Sequence, residues 1–258
     1  MHTKTVEVNG MRISYAVAGT GTPLLYVHGN TGSKLWYKKV MEVDGLRTVA
    51  PDLPNFGDSD RIEIADIDVY ADYLRDFVRR MEFPTPLPVV GHSLGGAVAI
   101  SLSLRNPGIV SRLMLVDSAP LDGLKTPEDR YPIIERYKSD RELLKKGLQA
   151  VTPTLDDPAF LEHLTDEAMK MNPIAFTGNA RALERFDYRG SAGEFDRPVL
   201  VVVGEKDVII TREMAEATAA GFPRAELRVL EGVGHSVMVE TPELFIRLLR
   251  EFLDEQGA

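Results

Sequence analysis

The segment Gly91-His92-Ser93-Leu94-Gly95 carries the strongest chemical signature, and it lies between an apolar run and a stretch of small and apolar residues. This is the Gly-x-Ser-x-Gly pattern in a strand, turn and helix context, which predicts a nucleophilic serine on a sharp turn. Such a turn strains the backbone of Ser93, so only small residues fit two positions before and after it, and glycines occupy both. We therefore expect the Ser93 hydroxyl to project above the ends of the strands.

A serine hydroxyl is a poor nucleophile near neutral pH, so it needs a general base and an acid that orients the base. Of the five histidines, His235 follows the last predicted strand on a glycine-rich loop, and it is the predicted base. Asp207 follows the strongest apolar strand of the second half and is the first choice for the acid, in the chain order Ser, Asp, His. Asp117, at the end of the strand after the serine, stays an alternative acid.

Two backbone amides are predicted to bind the negative charge that develops on the substrate. The amide of Leu94 lies at a predicted helix N-terminus, where it can donate to an anion. The segment 28–31 supplies the second donor, the amide of Asn30 or alternatively that of Gly29, because a glycine lets the backbone approach closely. A metal site at His28 is disfavoured, because no second histidine or acidic cluster has ligand spacing near it. We expect neither a metal nor a cofactor.

The elements that must position these groups alternate between strands and helices. Asn9-Gly10 between two alternating segments predicts an antiparallel hairpin at a sheet edge. Unbroken apolar runs, such as Leu24–Val27 and Val199–Val203, predict strands that are buried on both faces. The connections between such strands have crossover length, so the sequence predicts a doubly wound, mostly parallel α/β sheet. The ligand site of such a sheet lies beyond the carboxyl ends of its strands.

This alternation stops in the middle of the chain, where helix-like segments separated by prolines replace strands. The best helix candidates there are residues 140–151, 158–171 and 174–186. Outside this middle part, a separate short helix is predicted from Trp36 to Val43. We interpret the middle part as an insertion that covers the strand ends.

The insertion divides the chain into a core of residues 1–119 and 191–258 and a helical cap, or lid, of residues 120–190. Such a cap is expected to supply an apolar pocket above the serine. The residues expected to line the pocket and bind substrate are Leu121, Ile133, Ile134, Phe176 and Met238.

The composition limits the classes of partner. The chain has 30 Lys and Arg against 39 Asp and Glu and a net charge of −9, and this balance argues against nucleic acid or an anionic membrane as a partner. It has no cysteine, so disulfides, thiol nucleophiles and cysteine-ligated metals are excluded. The N-terminal segment, residues 1–12, has no apolar core of the length expected for a signal peptide, and no stretch of the sequence approaches the length of a membrane span. We expect a cytoplasmic protein that acts on a small, uncharged molecule, and the sequence predicts no oligomeric state.

With these motifs in order, the chain resembles the α/β-hydrolase superfamily over essentially its full length, in particular serine carboxylesterase-like members with a helical cap. The resemblance implies an eight-stranded sheet, a triad of Ser93, His235 and Asp207, and an oxyanion hole from the Leu94 and Asn30 amides. It disfavours haloalkane dehalogenase and epoxide hydrolase activity, since those relatives attack with an aspartate. Ester hydrolysis through an acyl-enzyme is the first expectation. Lactone opening, peracid formation, C–C bond hydrolysis and a ligand sensor without turnover stay open.

Overall fold

The computed structural model describes residues 1–254, and one sheet of eight strands forms their centre. The strand order across the sheet is β1-β2-β4-β3-β5-β6-β7-β8. The β1–β2 and β2–β4 pairs are antiparallel, and the remaining neighbours are parallel. The strands are β1 His2–Val8, β2 Met11–Ala18, β3 Thr22–Val27, β4 Leu46–Pro51, β5 Leu87–His92, β6 Val110–Val116, β7 Val199–Gly204 and β8 Ala225–Leu230. The predicted doubly wound, mostly parallel α/β fold is confirmed.

The burial of the strands explains why they are recognisable in the sequence. All six residues of β7 are buried, as are five of the six residues of β3, because neighbouring elements cover both faces of the central strands. The predicted edge hairpin is also present, and Asn9 and Gly10 both adopt the positive φ angles that its turn requires. The parallel strands have their carboxyl ends on the same side of the sheet, and the loops that carry the predicted site residues begin at these ends.

The helices begin where side chains cap them. Asp66, Asp140 and Asp157 each accept a backbone amide at the start of a helix, and such caps typically stabilise a helix by about 1 kcal/mol. The helices are α1 Ile67–Arg80, α2 Leu94–Arg105, α3 Tyr131–Arg136, α4 Arg141–Val151, α5 Pro158–Met169, α6 Pro173–Arg185, α7 Arg212–Ala220, α8 Val237–Glu240 and α9 Pro242–Asp254. Within residues 1–254, no helix is both long and apolar enough to cross a membrane.

Helices α3 to α6 lie between β6 and β7, and no strand interrupts them in this part of the described chain. The three predicted helices correspond to α4, α5 and α6. Helix α3 is not among the predicted helices, because Pro132 interrupts the helical pattern of the sequence. In the structure Pro132 lies in the first turn of α3, where its missing N–H costs no hydrogen bond. The predicted helix from Trp36 to Val43 is a 3-10 helix, Lys34–Val40.

The boundaries of the core and of the cap at residues 120–190 stay a prediction, and residues 255–258 of the predicted core lie outside the described residues. The helical insertion contacts the core through specific polar groups. Lys170 Nζ forms an ion pair with Asp58 at 2.8 Å, and the amide of Asn172 donates to the carbonyl of Asn55 at 2.8 Å. Asp58 also contacts the buried Lys34, which pairs with Asp52 at 2.6 Å.

Candidate active site

Ser93 lies at the junction between β5 and α2 with φ 53° and ψ −120°, a strained backbone conformation for a residue with a side chain. The two flanking glycines are required by space. A Cβ at Gly91 would lie 2.5 Å from the carbonyl oxygen of Gly95, and a Cβ at Gly95 would collide with the carbonyl oxygens of Val27 and His28. The predicted sharp turn is therefore present, and it holds Ser93 at the carboxyl end of the central strand.

Asp207 and His235 are joined by a hydrogen bond of 2.6 Å between Oδ2 and Nδ1. Asp207 follows β7, and its Oδ1 accepts the amides of Ile209 at 2.7 Å and Ile210 at 3.0 Å. Burial would raise the pKa of Asp207, but the hydrogen bond and charge of His235, together with these two amides, lower it. An ionised Asp207 holds a proton on Nδ1 of His235 and leaves Nε2 as the acceptor that a general base needs.

Ser93 and His235 line the same cavity, which has a volume of about 180 Å³. The described residues 1–254 contain no hydrogen bond between the Ser93 hydroxyl and the His235 ring. Catalytic hydrogen bonds are often long in the absence of substrate and tighten in the complex. The cavity therefore brings the predicted nucleophile and base to one space with the Asp207–His235 pair already formed.

The cavity is mainly apolar, and in the described part of the chain none of its lining residues is an Asp, Glu, Lys or Arg. Four lining residues come from α4 at positions 144, 147, 148 and 151, the spacing of one helical face. The complete lining is Asn30, Thr31, Trp36, His92, Ser93, Tyr137, Leu144, Gly147, Leu148, Val151, Ile209 and His235.

The five residues expected to line the pocket lie elsewhere, so this part of the expectation is corrected. Phe176 and Met238 are buried in the core of the molecule, and Leu121 packs against Gly221 at the end of α7. Ile133 is exposed, and Ile134 is partly buried against the core. The physical reason is that the helical face that turns toward Ser93 belongs to α4, whose apolar residues were interpreted only as part of a helix.

The two predicted oxyanion amides are free to donate. Neither the Asn30 nor the Leu94 amide forms a hydrogen bond within residues 1–254, and Leu94 is the first residue of α2. Gly29 lies so close to the nucleophile that a Cβ there would be 2.9 Å from Cβ of Ser93. His28 supports this segment, because its Nδ1 bonds the carbonyl of Gly29 at 2.9 Å and its Nε2 accepts the amide of Leu53 at 3.0 Å.

Asp117 is buried next to the Asp207–His235 pair, and its hydrogen-bond partner differs from those of Asp207. Its Oδ1 accepts the amide of Gly204 at 2.9 Å, and its Oδ2 has no hydrogen-bond partner among the described residues. Burial raises the pKa of Asp117 well above its ordinary value, and the charge of Asp207 raises it further. The geometry thus favours Asp207 over Asp117 as the acid that orients His235.

Asp117, Asp207 and His235 are also the only three groups in residues 1–254 whose ligand atoms cluster within 4.8 Å. A divalent cation there would need deprotonated ligands. Burial and the charge of Asp207 raise the pKa of Asp117 well above its ordinary value, which disfavours a deprotonated ligand there, and Nδ1 of His235 is already bonded to Asp207. The trio therefore fits a hydrogen-bonded catalytic group and does not fit a metal site.

Two further residues support the His235 loop, and neither role was predicted from the sequence. Nε2 of His92 bonds the carbonyl of His235 at 2.8 Å, and burial lowers the pKa of His92 to about 3, so it is neutral. Glu240 accepts the amides of Gly234 at 3.2 Å and Ser236 at 3.0 Å, on either side of His235. The Glu240 contact carries no local signal in the sequence, whereas His92 lies inside the serine motif.

The sequence model of the Alpha/beta hydrolase family matches residues 24–248. A pimeloyl-[acyl-carrier protein] methyl ester esterase of Neisseria meningitidis is 31% identical over 218 residues, which cover 80% of this chain and 82% of that protein. A 2-hydroxy-6-oxo-6-(2'-aminophenyl)hexa-2,4-dienoic acid hydrolase of Metapseudomonas resinovorans is 28% identical over 271 residues, covering 98% of this chain and 91% of that protein.

Similarity to solved structures extends over the same length. The esterase of Exiguobacterium antarcticum superposes with a TM-score of 0.87 at 20% identity, covering 98% of this chain and 100% of that chain. At this identity the likeness shows the fold alone, and it agrees with the eight-stranded sheet described above. Because the family model also spans most of the sequence, the chain belongs to the alpha/beta hydrolase family.

Proposed function

We propose that this protein is a serine hydrolase that cleaves small, uncharged carboxylic esters through an acyl-enzyme intermediate. Ser93 attacks the ester carbonyl carbon while His235 takes the hydroxyl proton and then gives it to the leaving alcohol. Water, activated by the same imidazole, releases the acid. Asp207 orients the ring, and the amides of Asn30 and Leu94 hold the negative oxygen of each tetrahedral intermediate.

The observation that carries this proposal is the cavity shared by Ser93 and His235, which is small, mainly apolar and free of charged lining residues within the described chain. Its volume of about 180 Å³ is below the range of roughly 300 to 1,000 Å³ that drug-sized ligands occupy. A charged group buried there would lack a partner and lose its hydration. Short, neutral acyl and alcohol groups therefore fit the cavity best.

The same argument ranks the alternative reactions. The relative from Neisseria meningitidis is named for a methyl ester, and the relative from Metapseudomonas resinovorans for a dienoic acid. An acid substrate of that kind carries a carboxylate, for which no lining residue of the described cavity supplies a cation. This favours ester cleavage over C–C bond hydrolysis. A lactone is an internal ester and undergoes the same attack, so lactones belong in the same substrate test.

The experiment combines covalent labelling with a substrate panel. A fluorophosphonate should add once to the protein, on the peptide that contains Ser93, and Ser93→Ala should abolish the addition. The panel contains p-nitrophenyl acetate, butyrate and octanoate, a methyl ester, a γ-lactone and a dienoic acid. We expect multiple turnovers, fastest for the short neutral esters. Turnover of the dienoic acid alone would contradict the proposal, as would a single slow acylation, which indicates a sensor.

A further inference from the structure

A buried hydrogen bond joins helix α6 to the candidate oxyanion segment. Asn179 lies on α6 and is fully buried, and its Nδ2 donates to Oδ1 of Asn30 at 2.8 Å. Its Oδ1 accepts from the hydroxyl of Tyr70 on α1 at 2.9 Å. Nδ2 also approaches the sulfur of Met171 at 3.9 Å. Both polar atoms of the Asn179 side chain therefore have partners, as the burial of an amide requires.

The hydrogen bonds continue from Tyr70 to the start of α6. Nδ2 of Asn55 donates to the Tyr70 hydroxyl at 3.4 Å, and Oδ1 of Asn55 accepts from Nδ2 of Asn172, the N-cap of α6, at 2.9 Å. We call Asn30, Asn179, Tyr70, Asn55 and Asn172 the amide chain. It fixes α6 at two places, but Asn30 is its only member that lines the active-site cavity.

The contact with Asn179 supports a segment that is otherwise difficult to hold in place. Gly29 packs directly against Ser93, and Thr31 has a φ of +55°, which a β-branched residue rarely adopts. An apolar residue at position 179 would avoid the desolvation that a buried amide suffers. The hydrogen bond from Asn179 instead fixes the orientation of the Asn30 side chain, on the segment that follows Gly29.

We propose that Asn179 is a positioning residue, which holds the Asn30 amide in place for the oxyanion through its hydrogen bond to the Asn30 side chain. This inference rests on the proposed function, because it takes the Asn30 amide as an oxyanion donor. Asn179 itself touches no reacting atom and acts through Asn30 alone. Its loss therefore weakens stabilisation of the transition state more than binding of the ester.

The test compares Asn179→Ala and the bulkier Asn179→Leu with Asn172→Ala, which cuts the amide chain at its far end. We expect the two Asn179 variants to lower kcat by roughly 10-fold or more, since loss of a whole oxyanion donor costs about 10² to 10³. KM should change by less than about 3-fold. Asn172→Ala should keep kcat within about 3-fold of the wild-type value, although it loses a helix cap.

A double variant tests whether Asn179 acts through Asn30. If it does, Asn30→Ala combined with Asn179→Ala should have about the same kcat as the more impaired single variant, because both substitutions remove one contact. A kcat equal to the product of the two separate losses would show that the two residues act independently and would overturn the inference.

Hydrogen–deuterium exchange provides a readout that needs no substrate. Peptides covering residues 28–33 should exchange faster in both Asn179 variants than in the wild type and in Asn172→Ala. Equal exchange and equal kcat in the Asn179 and Asn172 variants would overturn the inference, and so would a change confined to KM. A wild-type protein that hydrolyses no ester would contradict the proposed function, whereas the exchange of this segment would still decide the role of Asn179.

Discussion

Asp117 and Asp207 are two carboxyl groups close to one histidine, and their surroundings give them different charges. Asp207 accepts hydrogen bonds from His235 and from two backbone amides, which lower its pKa and keep it ionised. Asp117 is buried with one amide partner, and burial and the charge of Asp207 raise its pKa well above the ordinary range. Asp207 is therefore the better placed of the two to carry the negative charge beside His235, whereas burial favours the protonated form of Asp117.

The stability of Asp117→Asn relative to the wild type should increase as the pH rises. A carboxyl group whose pKa is raised on folding stabilises the protein below its unfolded pKa of about 3.9, and that contribution is lost as the pH rises through the folded pKa. Asparagine imitates the protonated acid and has no such loss. We expect the difference in Tm between Asp117→Asn and the wild type to become more positive from pH 4.5 to pH 8.

Thermal unfolding at several pH values measures this difference. Asp207 and Glu240 also face this carboxyl group and are present in both proteins, so the two proteins differ only in the group at position 117. A difference in Tm that does not depend on pH would show that Asp117 is ionised in the folded protein.

Helix α4 determines the size of the cavity. Leu144, Gly147, Leu148 and Val151 form one face of this helix and line the space above Ser93. Gly147 leaves room for a neighbouring aromatic ring, because a Cβ at this position would lie 2.8 Å from the hydroxyl oxygen of Tyr137. Removing side-chain volume from this face should therefore favour larger substrates, and adding side-chain volume should favour smaller ones.

Leu144→Ala and Gly147→Ala should have opposite effects on the preference for long acyl chains. Leu144→Ala enlarges the cavity and should raise kcat/KM for p-nitrophenyl octanoate relative to the acetate by roughly 10-fold, while costing about 2 to 5 kcal/mol of stability. Gly147→Ala narrows the cavity and should lower the same ratio. Gln149→Ala, on the exposed face of α4, serves as the matched control. A shift of equal sign in both variants would contradict the assignment of this face.

The fold of the whole molecule was predictable because its signals are local. Val199–Val203 and Leu24–Val27 are continuous apolar runs, since central parallel strands are covered on both faces. The serine turn was also predictable, because the space around Ser93 admits only glycine at positions 91 and 95. The residues that line the cavity were not predictable, since they depend on which face of α4 is oriented toward Ser93. The contact between Asn30 and Asn179 joins residues far apart in the chain, and neither has a distinctive neighbourhood in the sequence.

The molecule as a whole should lose stability in acid partly because of its buried histidines. Burial lowers the pKa values of His28 and His92, that of His92 to about 3, whereas an unfolded histidine titrates near 6.5. A lowered histidine pKa means that the unfolded state binds the proton first, so stability falls as the pH drops below about 6.5. His92 makes the free energy of unfolding fall by up to about 1.4 kcal/mol for each unit of pH decrease, until the pH approaches its folded pKa.

His92→Gln should therefore have a shallower dependence of unfolding free energy on pH between 6.5 and 4.5 than the wild type. Urea unfolding at pH 7.5, 6.0 and 4.5 measures the slope for both proteins. His28, whose pKa is also lowered by burial, is unchanged in the variant and provides the common background. Parallel pH dependences would contradict a neutral, buried His92.

The account depends most on the covalent step at Ser93, which acyl-enzyme trapping tests directly. Wild-type protein turning over p-nitrophenyl butyrate is acid-quenched within milliseconds to seconds, and its intact mass and peptide masses are measured. We predict a mass gain of one butyryl group on the peptide that contains Ser93, with no gain in Ser93→Ala and turnover lower by a factor on the order of 10⁶. Turnover of Ser93→Ala near the wild-type rate, or a butyryl group on another residue, would contradict the account.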